Sequence, residues 1–258
     1  MLAEPLDRIW RIAATGFSFA CLFLGGAVIA LTVFPLIRLV SPVGVVRRER
    51  SQYVIHMMFR FYVGMLRFLH LLDLEVSGMD RLADGIPRVI VANHPSLLDV
   101  VFLMSLVPRS QCVVKNELWS SPFLGGAVQG AGYIRNDLAT EELIAACREA
   151  MRQGNNLIIF PEGTRTTPGQ PMHLRRGFAN IATMLEAEVQ MVTITCDPPT
   201  LVKGEKWWMI PARRPKFRVA FGDRIDAKGW FGCEHRSVAA RQLVRQLEAY
   251  YEGQLGHG

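Results

Sequence analysis

The sequence contains few of the residues that metal and disulfide sites require. It has five cysteines and six histidines in 258 residues, and neither set shows the short, repeated spacing of zinc ligands. The cysteines are scattered and odd in number: Cys21, Cys112, Cys147, Cys196 and Cys233. This pattern argues against the disulfide framework of a small secreted protein and favours a reduced, cytosol-facing environment. We therefore expect no metal ion and no bound cofactor.

Internal repeats, low-complexity tracts and flexible linkers are also missing, so we expect no second soluble domain. Hydrophobic residues make up 50% of the chain, and its net charge is +6. A basic protein favours anionic partners. The chain has no nucleic-acid-binding motif and no interleaving of basic and aromatic residues. An anionic lipid surface therefore fits this charge better than nucleic acid does.

The segment from Ile12 to Ile37 has no charged residue. As one helix it would be about 39 Å long, enough to span a bilayer. Four helix-interrupting residues also allow a re-entrant or interfacial hairpin: Gly16, Gly25, Gly26 and Pro35. A buried helix of a soluble protein is a further alternative. More arginines follow the segment than precede it, which predicts that the rest of the chain faces the cytoplasm from the inner or cytoplasmic membrane.

A second segment predicts an amphipathic helix. His56, Arg60, Arg67 and His70 have the spacing of one helical stripe, and large apolar residues surround them. This pattern favours a helix in the lipid interface. It is equally compatible with a helix that packs on the rest of the protein.

A histidine and an aspartate five residues apart follow a predicted buried strand that ends at Ala92. The next segment, Ser96 to Leu106, predicts a helix with Ser96 as its N-cap. His94 then lies in a strand-to-helix turn, where side chains reach a crevice at the carboxyl edge of a sheet. Asp99 can hydrogen-bond the imidazole and leave its other nitrogen free to accept a proton. A surface histidine near a helix-start aspartate is the alternative.

A second polar cluster follows another predicted strand, 157–160. The turn after it contains Glu162, Gly163, Thr164 and Arg165. Backbone N–H groups at a glycine turn, together with a guanidinium, form a site suited to phosphate. In this reading Glu162 orients Arg165 or binds a hydroxyl group. An ordinary turn with a salt bridge is the alternative.

Other segments complete the outline. Arg175 and Arg176 precede a predicted helix that ends at Leu185, and they either add positive charge to the site or are solvated. The loop 197–215 carries Trp207 and Trp208 with basic neighbours, which suits a membrane interface, a lid or a packed surface loop. We predict further helices at 141–153 and 236–255, and further strands at 189–196 and 216–221.

With both polar clusters in view, the chain resembles the glycerolipid acyltransferase family, that is, lysophospholipid or 1-acylglycerol-3-phosphate acyltransferases. The motif N-H-x-S-x-x-D, which contains the H-x4-D pattern, is complete at residues 93–99, and F-P-E-G-T-R is complete at residues 160–165. The resemblance covers about residues 74–225. It implies an α/β fold with a central, mostly parallel sheet flanked by helices. We expect a membrane-associated helical segment at 1–73 and a catalytic domain at 74–258.

Two further family motifs match less well. Arg135 ends a motif that is about one residue shorter than usual, and Thr193 stands where the family usually has proline. The resemblance suggests that Arg135 and Lys115 contact the acceptor head group. A surface arginine and a solvated lysine are the alternatives.

The resemblance implies a membrane-bound enzyme that moves a fatty acyl group from acyl-CoA or acyl carrier protein to the hydroxyl of a lysophospholipid. His94 would act as general base, with Asp99 orienting it and stabilising the imidazolium. Substrate contacts fall to Glu162, Gly163, Thr164 and Arg165, with Arg135 and Lys115 assisting. Three alternatives remain: another lyso-lipid as acceptor, such as an amino-acid-containing one, a thioester or lipid hydrolase, and a non-catalytic lipid-binding membrane module.

Overall fold

Helices and strands alternate through most of the chain. The computed structural model describes residues 3–120, 125–166, 172–226 and 236–256. The helices within these ranges are α1 (Ala3–Leu31), α2 (Val33–Val40), α3 (Val45–Phe68), α4 (Asp99–Leu106), α5 (Asn116–Trp119), α6 (Gly125–Gly130), α7 (Thr140–Arg152), α8 (Gly177–Leu185) and α9 (Arg236–Leu255). The strands are β1 (Asp73–Ser77), β2 (Val89–Ala92), β3 (Ser110–Val114), β4 (Ile134–Arg135), β5 (Asn156–Ile159), β6 (Glu188–Asp197) and β7 (Lys216–Asp226).

The strands form one sheet in the order β1-β7-β6-β2-β5-β3-β4. Strands β6, β2, β5, β3 and β4 run parallel, whereas β7 is antiparallel to β6. Strand β2 lies between β6 and β5, with Val91 beside Ile159 and Ala92 beside Val192. The segments that leave these three strands therefore meet at one edge of the sheet. The mostly parallel α/β fold predicted from the sequence is confirmed.

Both faces of the sheet are covered, because the central strands are apolar on each side. Helices α7, α8 and α9 bury one face, where Leu157, Phe178 and Leu247 pack together. The other face packs against α3 and α4. Phe34 of α2 and Tyr62 of α3 belong to this second core. The N-terminal helices thus share a hydrophobic core with the sheet.

The long apolar segment does not form one continuous helix. The stretch Leu6–Val40 is long and apolar enough to cross a membrane, and little of it is buried. It is divided at Thr32, where α1 gives way to α2. The outer surfaces of these two helices carry many exposed large apolar side chains: Leu6, Ile9, Trp10, Phe17, Phe23, Leu24, Val28, Leu31, Leu36, Leu39 and Val40.

The predicted basic stripe on α3 is wrong in part. The helix ends at Phe68, so His70 lies beyond it, with a φ of 58°. His56 is buried, and its Nδ1 lies 2.8 Å from the carbonyl oxygen of Met104 in α4. The exposed face instead carries an apolar ridge, which consists of Tyr53, Met57, Phe61 and Phe68. The helix thus packs on the sheet domain through one face and exposes apolar side chains on the other.

The other predicted elements lie close to those observed. Strand β7 continues to Asp226, five residues beyond its predicted end, because it pairs with β6 along most of its length. Strand β1 was not predicted. Of the five cysteines, Cys21, Cys112, Cys147 and Cys196 are free, and Cys233 lies outside the described residues.

Candidate active site

A histidine and a carboxylate form a hydrogen-bonded pair at the carboxyl end of β2. The Nδ1 atom of His94 lies 2.8 Å from Oδ2 of Asp99. The backbone N–H of Ser96 donates to the same oxygen at 2.7 Å. Because an ionised carboxylate can only accept hydrogen bonds, Nδ1 carries the proton. This arrangement leaves Nε2 as the basic nitrogen of His94.

Asp99 is completely buried at the first position of α4. Burial raises its pKa to about 6, although the hydrogen bonds from His94 and Ser96 act in the opposite direction. Its second oxygen, Oδ1, is buried without a hydrogen-bond partner among the described residues. An under-solvated carboxylate gains from a positive charge placed beside it. Asp99 is therefore suited to stabilise an imidazolium on His94.

The prediction that Ser96 caps the helix is wrong. Helix α4 begins three residues later, and Leu98 occupies the preceding position. The Ser96 hydroxyl instead donates to the carbonyl oxygen of Thr200 at 3.0 Å. The three residues before the helix form the turn that returns the Asp99 carboxylate to the Ser96 N–H, so the helix starts at Asp99 itself.

Asn93 attaches the start of this turn to the neighbouring strand. Its Nδ2 donates to the carbonyl oxygen of Ile194, and its Oδ1 accepts from the N–H of Ile194, each at 2.7 Å. The buried amide thus extends the β2–β6 ladder by one side chain. It fixes the direction in which the chain leaves β2 toward His94.

The turn after β5 contacts the turn after β2 directly. Oε1 of Glu162 accepts from the N–H of His94 at 3.0 Å and from the hydroxyl of Thr166 at 2.8 Å. The N–H of Thr166 donates to the His94 carbonyl at 2.7 Å. The Phe160 ring lies 4.4 Å from the His94 ring, centroid to centroid. The two motifs predicted from the sequence therefore form one site.

Within the ranges that the structure describes, Glu162 does not hydrogen-bond Arg165, which is one of the two roles that the sequence suggested for it. Its carboxylate instead holds the backbone of His94. The other suggested role, binding a hydroxyl group of the substrate, stays a prediction. Burial raises the pKa of Glu162, as it does for Asp99. The site thus contains two buried carboxylates around one imidazole.

Arg165 is hydrogen-bonded to a loop on the other side of the site. Its Nη1 donates to the carbonyl oxygens of Leu201 at 2.9 Å and Val202 at 3.0 Å. These contacts were not expected, since the sequence suggested a phosphate partner for Arg165. Part of this guanidinium is therefore committed to the protein.

Arg175 lies over the turn instead. Gly163 has a φ of +67°, and a Cβ atom there would lie 3.0 Å from Nε of Arg175. Glycine is thus required both by the left-handed backbone and by the close approach of this arginine. The sequence identified Arg175 only as one of two adjacent basic residues. The contact depends on how the segment before α8 returns to the end of β5.

Lys115 and Arg135 lie at the same sheet edge but do not contact the His94–Asp99 pair. Lys115 follows β3, which is two strands away from β2, and Arg135 ends β4, which is three strands away. At about 4.8 Å per strand, they lie roughly 10 and 14 Å to the side. Arg135 donates to both carboxylate oxygens of Asp137, and Lys115 is exposed.

Residues of the turn 93–98 line two cavities. One, of about 210 Å³, is lined in part by Asn93, Pro95 and Thr166. The other is largely apolar and lies between α1, α3 and the loop that follows β6, where Leu98 and Trp207 form part of its wall. Among the described residues, no group of three or more histidine, cysteine or acidic side chains is placed to hold a metal ion.

A hydrogen-bonded histidine–aspartate pair after one parallel strand and a glycine–arginine turn after the next form the arrangement that the sequence resemblance implies for an acyltransferase. Comparison with known proteins agrees, since residues 73–197 match a family model described as Acyltransferase. The matched segment contains both motifs, and over this segment the chain is similar to the glycerolipid acyltransferases.

Two bacterial relatives are named 1-acyl-sn-glycerol-3-phosphate acyltransferase. The protein from Helicobacter pylori is 34% identical over 42% of this chain and 48% of its own length. The protein from Pseudomonas aeruginosa is 31% identical over 52% of this chain and 54% of its own length. The chain thus spans about half the length of these two relatives.

Two further proteins extend the likeness. The human 1-acyl-sn-glycerol-3-phosphate acyltransferase alpha is 28% identical over 73% of this chain and 66% of its own length. The crystal structure of the 1-acyl-sn-glycerophosphate (LPA) acyltransferase PlsC from Thermotoga maritima has a TM-score of 0.67. It is 19% identical, and the match covers 96% of this chain and 98% of that one. The two proteins share their fold over nearly their whole length.

Proposed function

We propose that this protein transfers a fatty acyl group from an acyl thioester to the free hydroxyl of a lysophospholipid. The observation that carries the proposal is the hydrogen bond between His94 and buried Asp99, held beside the turn that contains Glu162. The names of the relatives favour 1-acylglycerol-3-phosphate as the acceptor. The donor is acyl-CoA or acyl carrier protein.

In the proposed reaction, Nε2 of His94 removes the proton from the acceptor hydroxyl as its oxygen attacks the thioester carbonyl. Asp99 stabilises the imidazolium that forms. The tetrahedral intermediate then collapses, the carbon–sulfur bond breaks, and the thiol leaves with the proton that His94 had taken. The products are an ester and a free thiol, and the imidazole returns to its starting state.

The acceptor phosphate is proposed to bind at the turn 162–165. The backbone N–H of Thr164 and the remaining donors of Arg165 supply hydrogen bonds. The N–H of Gly163 donates to the carbonyl oxygen of Phe160, so Gly163 contributes the left-handed backbone of the turn. Arg175 lies over this turn, and its position supports a role for it as a further cation at the phosphate. Lys115 and Arg135 are proposed to contact more distant parts of the substrates along the same sheet edge.

The enzyme is proposed to work at a membrane surface. The exposed apolar side chains of α1 and α2 and the apolar ridge of α3 support this proposal, because water-exposed apolar surface gains free energy in lipid. The start of α1 is hydrogen-bonded to the catalytic domain through Arg11. This attachment favours a segment 1–73 that lies against the membrane face over one that leaves the domain, with the catalytic domain 74–258 on the cytoplasmic side.

The direct test is incubation of the purified protein in lipid vesicles with a labelled acyl thioester and a panel of lyso-lipids, followed by product identification by mass spectrometry. The panel includes 1-acylglycerol-3-phosphate, uncharged and zwitterionic head groups, and an amino-acid-containing lyso-lipid. We expect phosphatidic acid as the main product. Release of free fatty acid without acylated lipid would indicate a hydrolase, and an unchanged thioester would indicate a binding module.

The phosphate assignment predicts a specific defect in Arg175→Gln. Loss of one charged hydrogen bond should raise the apparent KM for the phosphorylated acceptor about tenfold, with kcat nearly unchanged, if the contact is equal in ground and transition states. Arg176→Gln is the matched control, because that arginine is its exposed neighbour. Equal KM values for the two variants would remove Arg175 from the phosphate site.

A further inference from the structure

The loop 198–215 between β6 and β7, here called the β6–β7 loop, contacts both active-site motifs. Thr200 accepts a hydrogen bond from the Ser96 hydroxyl, and Leu201 accepts one from the N–H of Leu97 at 3.2 Å. The Leu201 and Val202 carbonyls accept from Arg165. Three consecutive loop residues thus hold the His94 turn and the Arg165 turn in register.

Leu201 has a backbone conformation that a leucine adopts only under constraint. Its φ is +53°, in the left-handed region, and its side chain is nearly buried. Such a conformation is unfavourable for a leucine and persists where the surroundings enforce it. The loop is therefore held in one conformation at the point where it touches the site.

The far end of the same loop is attached to α1. Arg11 is buried, and its guanidinium donates to the carbonyl oxygens of Pro211 at 2.9 Å and Ala212 at 2.7 Å. Its Nε donates to Asp7 of the same helix at 2.8 Å. Two nitrogens of this guanidinium thus join the helix to the loop, and the third holds the side chain on the helix.

A second contact lies between one and about two turns further along α1. The ring of Trp207 lies 6.3 Å from the Phe19 ring, centroid to centroid. A Cβ atom at Gly16 would lie 3.1 Å from two carbons of the Trp207 ring. The indole thus packs directly on the helix backbone where a side chain is missing. A shift of α1 must therefore move the loop or break these contacts.

We infer that the β6–β7 loop is a positioning element, which transmits the seating of α1 to the turn that carries His94. Arg11 and Trp207 are its positioning residues at the α1 end, and Leu201 is the one at the active-site end. The structural coupling stands on the contacts alone, and its consequence for the rate rests on the proposed acyl transfer. Because α1 carries the exposed apolar surface, a lipid bilayer that seats α1 would also order the site.

The first test compares Gly16→Val with Gly26→Val. Both substitutions remove a glycine from the same helix, but only position 16 faces Trp207, and position 26 has no neighbouring atoms within 4 Å. Hydrogen exchange of the segment 95–99 in vesicle-bound protein reports on the Leu97–Leu201 hydrogen bond. We expect about fivefold faster exchange in Gly16→Val than in wild type or Gly26→Val. Equal exchange in the two variants would overturn the coupling, whether or not the wild type transfers acyl groups.

The kinetic arm separates positioning from contact with the acyl chain. Trp207 and Arg11 also border the apolar cavity beside Leu98, where an acyl chain could bind. The Gly16 and Arg11 variants are therefore assayed with a short donor, a butyryl thioester, and a long one, a palmitoyl thioester. Positioning predicts that kcat falls about fivefold or more with both donors while both KM values stay near those of wild type. A defect confined to the palmitoyl donor would reject positioning and assign these residues to the acyl chain.

Variants of Arg11 test the same coupling independently, in case Gly16→Val does not fold. Arg11→Lys retains one donor toward the loop carbonyls, Arg11→Ala retains none, and Arg8→Ala changes an exposed arginine on the same helix. We expect exchange at 95–99 to rise in the order Arg8→Ala, Arg11→Lys, Arg11→Ala, with vesicle binding retained in all three. No difference among them would contradict the inference.

Discussion

The two ends of strand β2 place charge in opposite ways. At the amino end, buried Arg88 donates to the carboxylates of Asp84 and Glu188, with a distance of 2.7 Å from its Nε to Glu188. Arg88 holds the pKa of Asp84 far below its usual range. At the carboxyl end, burial raises the pKa values of Asp99 and Glu162, and the hydrogen bonds from His94, Ser96 and Thr166 compensate only in part.

This difference separates a structural site from a chemical one. The amino end neutralises its charges and gains stability from them, provided that every partner remains. The carboxyl end keeps two carboxylates under-solvated, which costs stability and is typical of functional sites. The apolar segment Val89–Ala92 separates the two, so each can be altered with little effect on the other.

The largest expected effect follows from removing the imidazole. His94→Ala should lower kcat for acyl transfer by about 10²- to 10⁴-fold, the usual scale of a general base. Vesicle binding and the unfolding midpoint should remain close to those of wild type. His173→Ala, which changes an exposed histidine, is the control. Full activity in His94→Ala would reject the mechanism.

Removing the charge of Asp99 should affect catalysis and stability in opposite directions. Asp99→Asn keeps the size of the side chain but cannot stabilise an imidazolium by charge, so kcat should fall about 10²-fold. Above pH 6, the variant should be more stable by up to about 3 kcal/mol, since it avoids burying a carboxylate. Steady-state kinetics and urea unfolding of the same preparation measure the two effects.

The pH dependence gives the sign of this stability effect. A carboxyl group whose folded pKa is raised to about 6 binds its proton more tightly in the folded state. It therefore destabilises the folded state progressively as pH rises from about 4 to above 6. The advantage of Asp99→Asn should be largest at pH 8 and disappear near pH 4. A constant difference across this range would show that Asp99 is not the group responsible.

At the other end of β2, Arg88→Met should affect stability alone. It removes the cation that Asp84 and Glu188 share and should cost about 2 to 3 kcal/mol. This is below the largest values because both carboxylates are partly exposed and Arg224 still pairs with Asp84. The kcat per folded molecule should stay within about twofold of wild type. Arg152→Met, which breaks an exposed pair with Glu149, should lower the unfolding midpoint much less, because solvent screens this pair. The unfolding midpoints of the two variants measure the difference. Similar midpoints would show that the buried pairs of Arg88 contribute no more to stability than the exposed pair of Arg152.

The smallest effect is expected for Glu162→Gln. The amide oxygen can still accept from the N–H of His94 and the hydroxyl of Thr166, so kcat should change by less than about tenfold. Because burial raises the pKa of Glu162, its neutral replacement should be slightly more stable at pH 8 than wild type. A loss of activity as large as that of His94→Ala would assign Glu162 a chemical role in place of a positioning one.

Local patterns predicted the elements well where periodicity and composition decide the structure. The strands before His94 and Glu162 and the helix α9 were predicted close to their observed bounds, because apolar runs and amphipathic spacing depend on near neighbours in sequence. The same reasoning failed for Ser96 and His56. Their partners, Thr200 and Met104, lie far along the chain.

The sequence by itself determined the chemical groups and their local geometry. Four residues between His94 and Asp99 suffice for a turn that returns the carboxylate to the imidazole, and glycine at position 163 allows the left-handed turn. Only the tertiary structure decided that β5 and β6 flank β2, that Arg165 holds the β6–β7 loop, and that Arg175 lies over Gly163. Strand order and loop contacts join residues that are distant in sequence, and their free energy depends on the packing of the whole sheet.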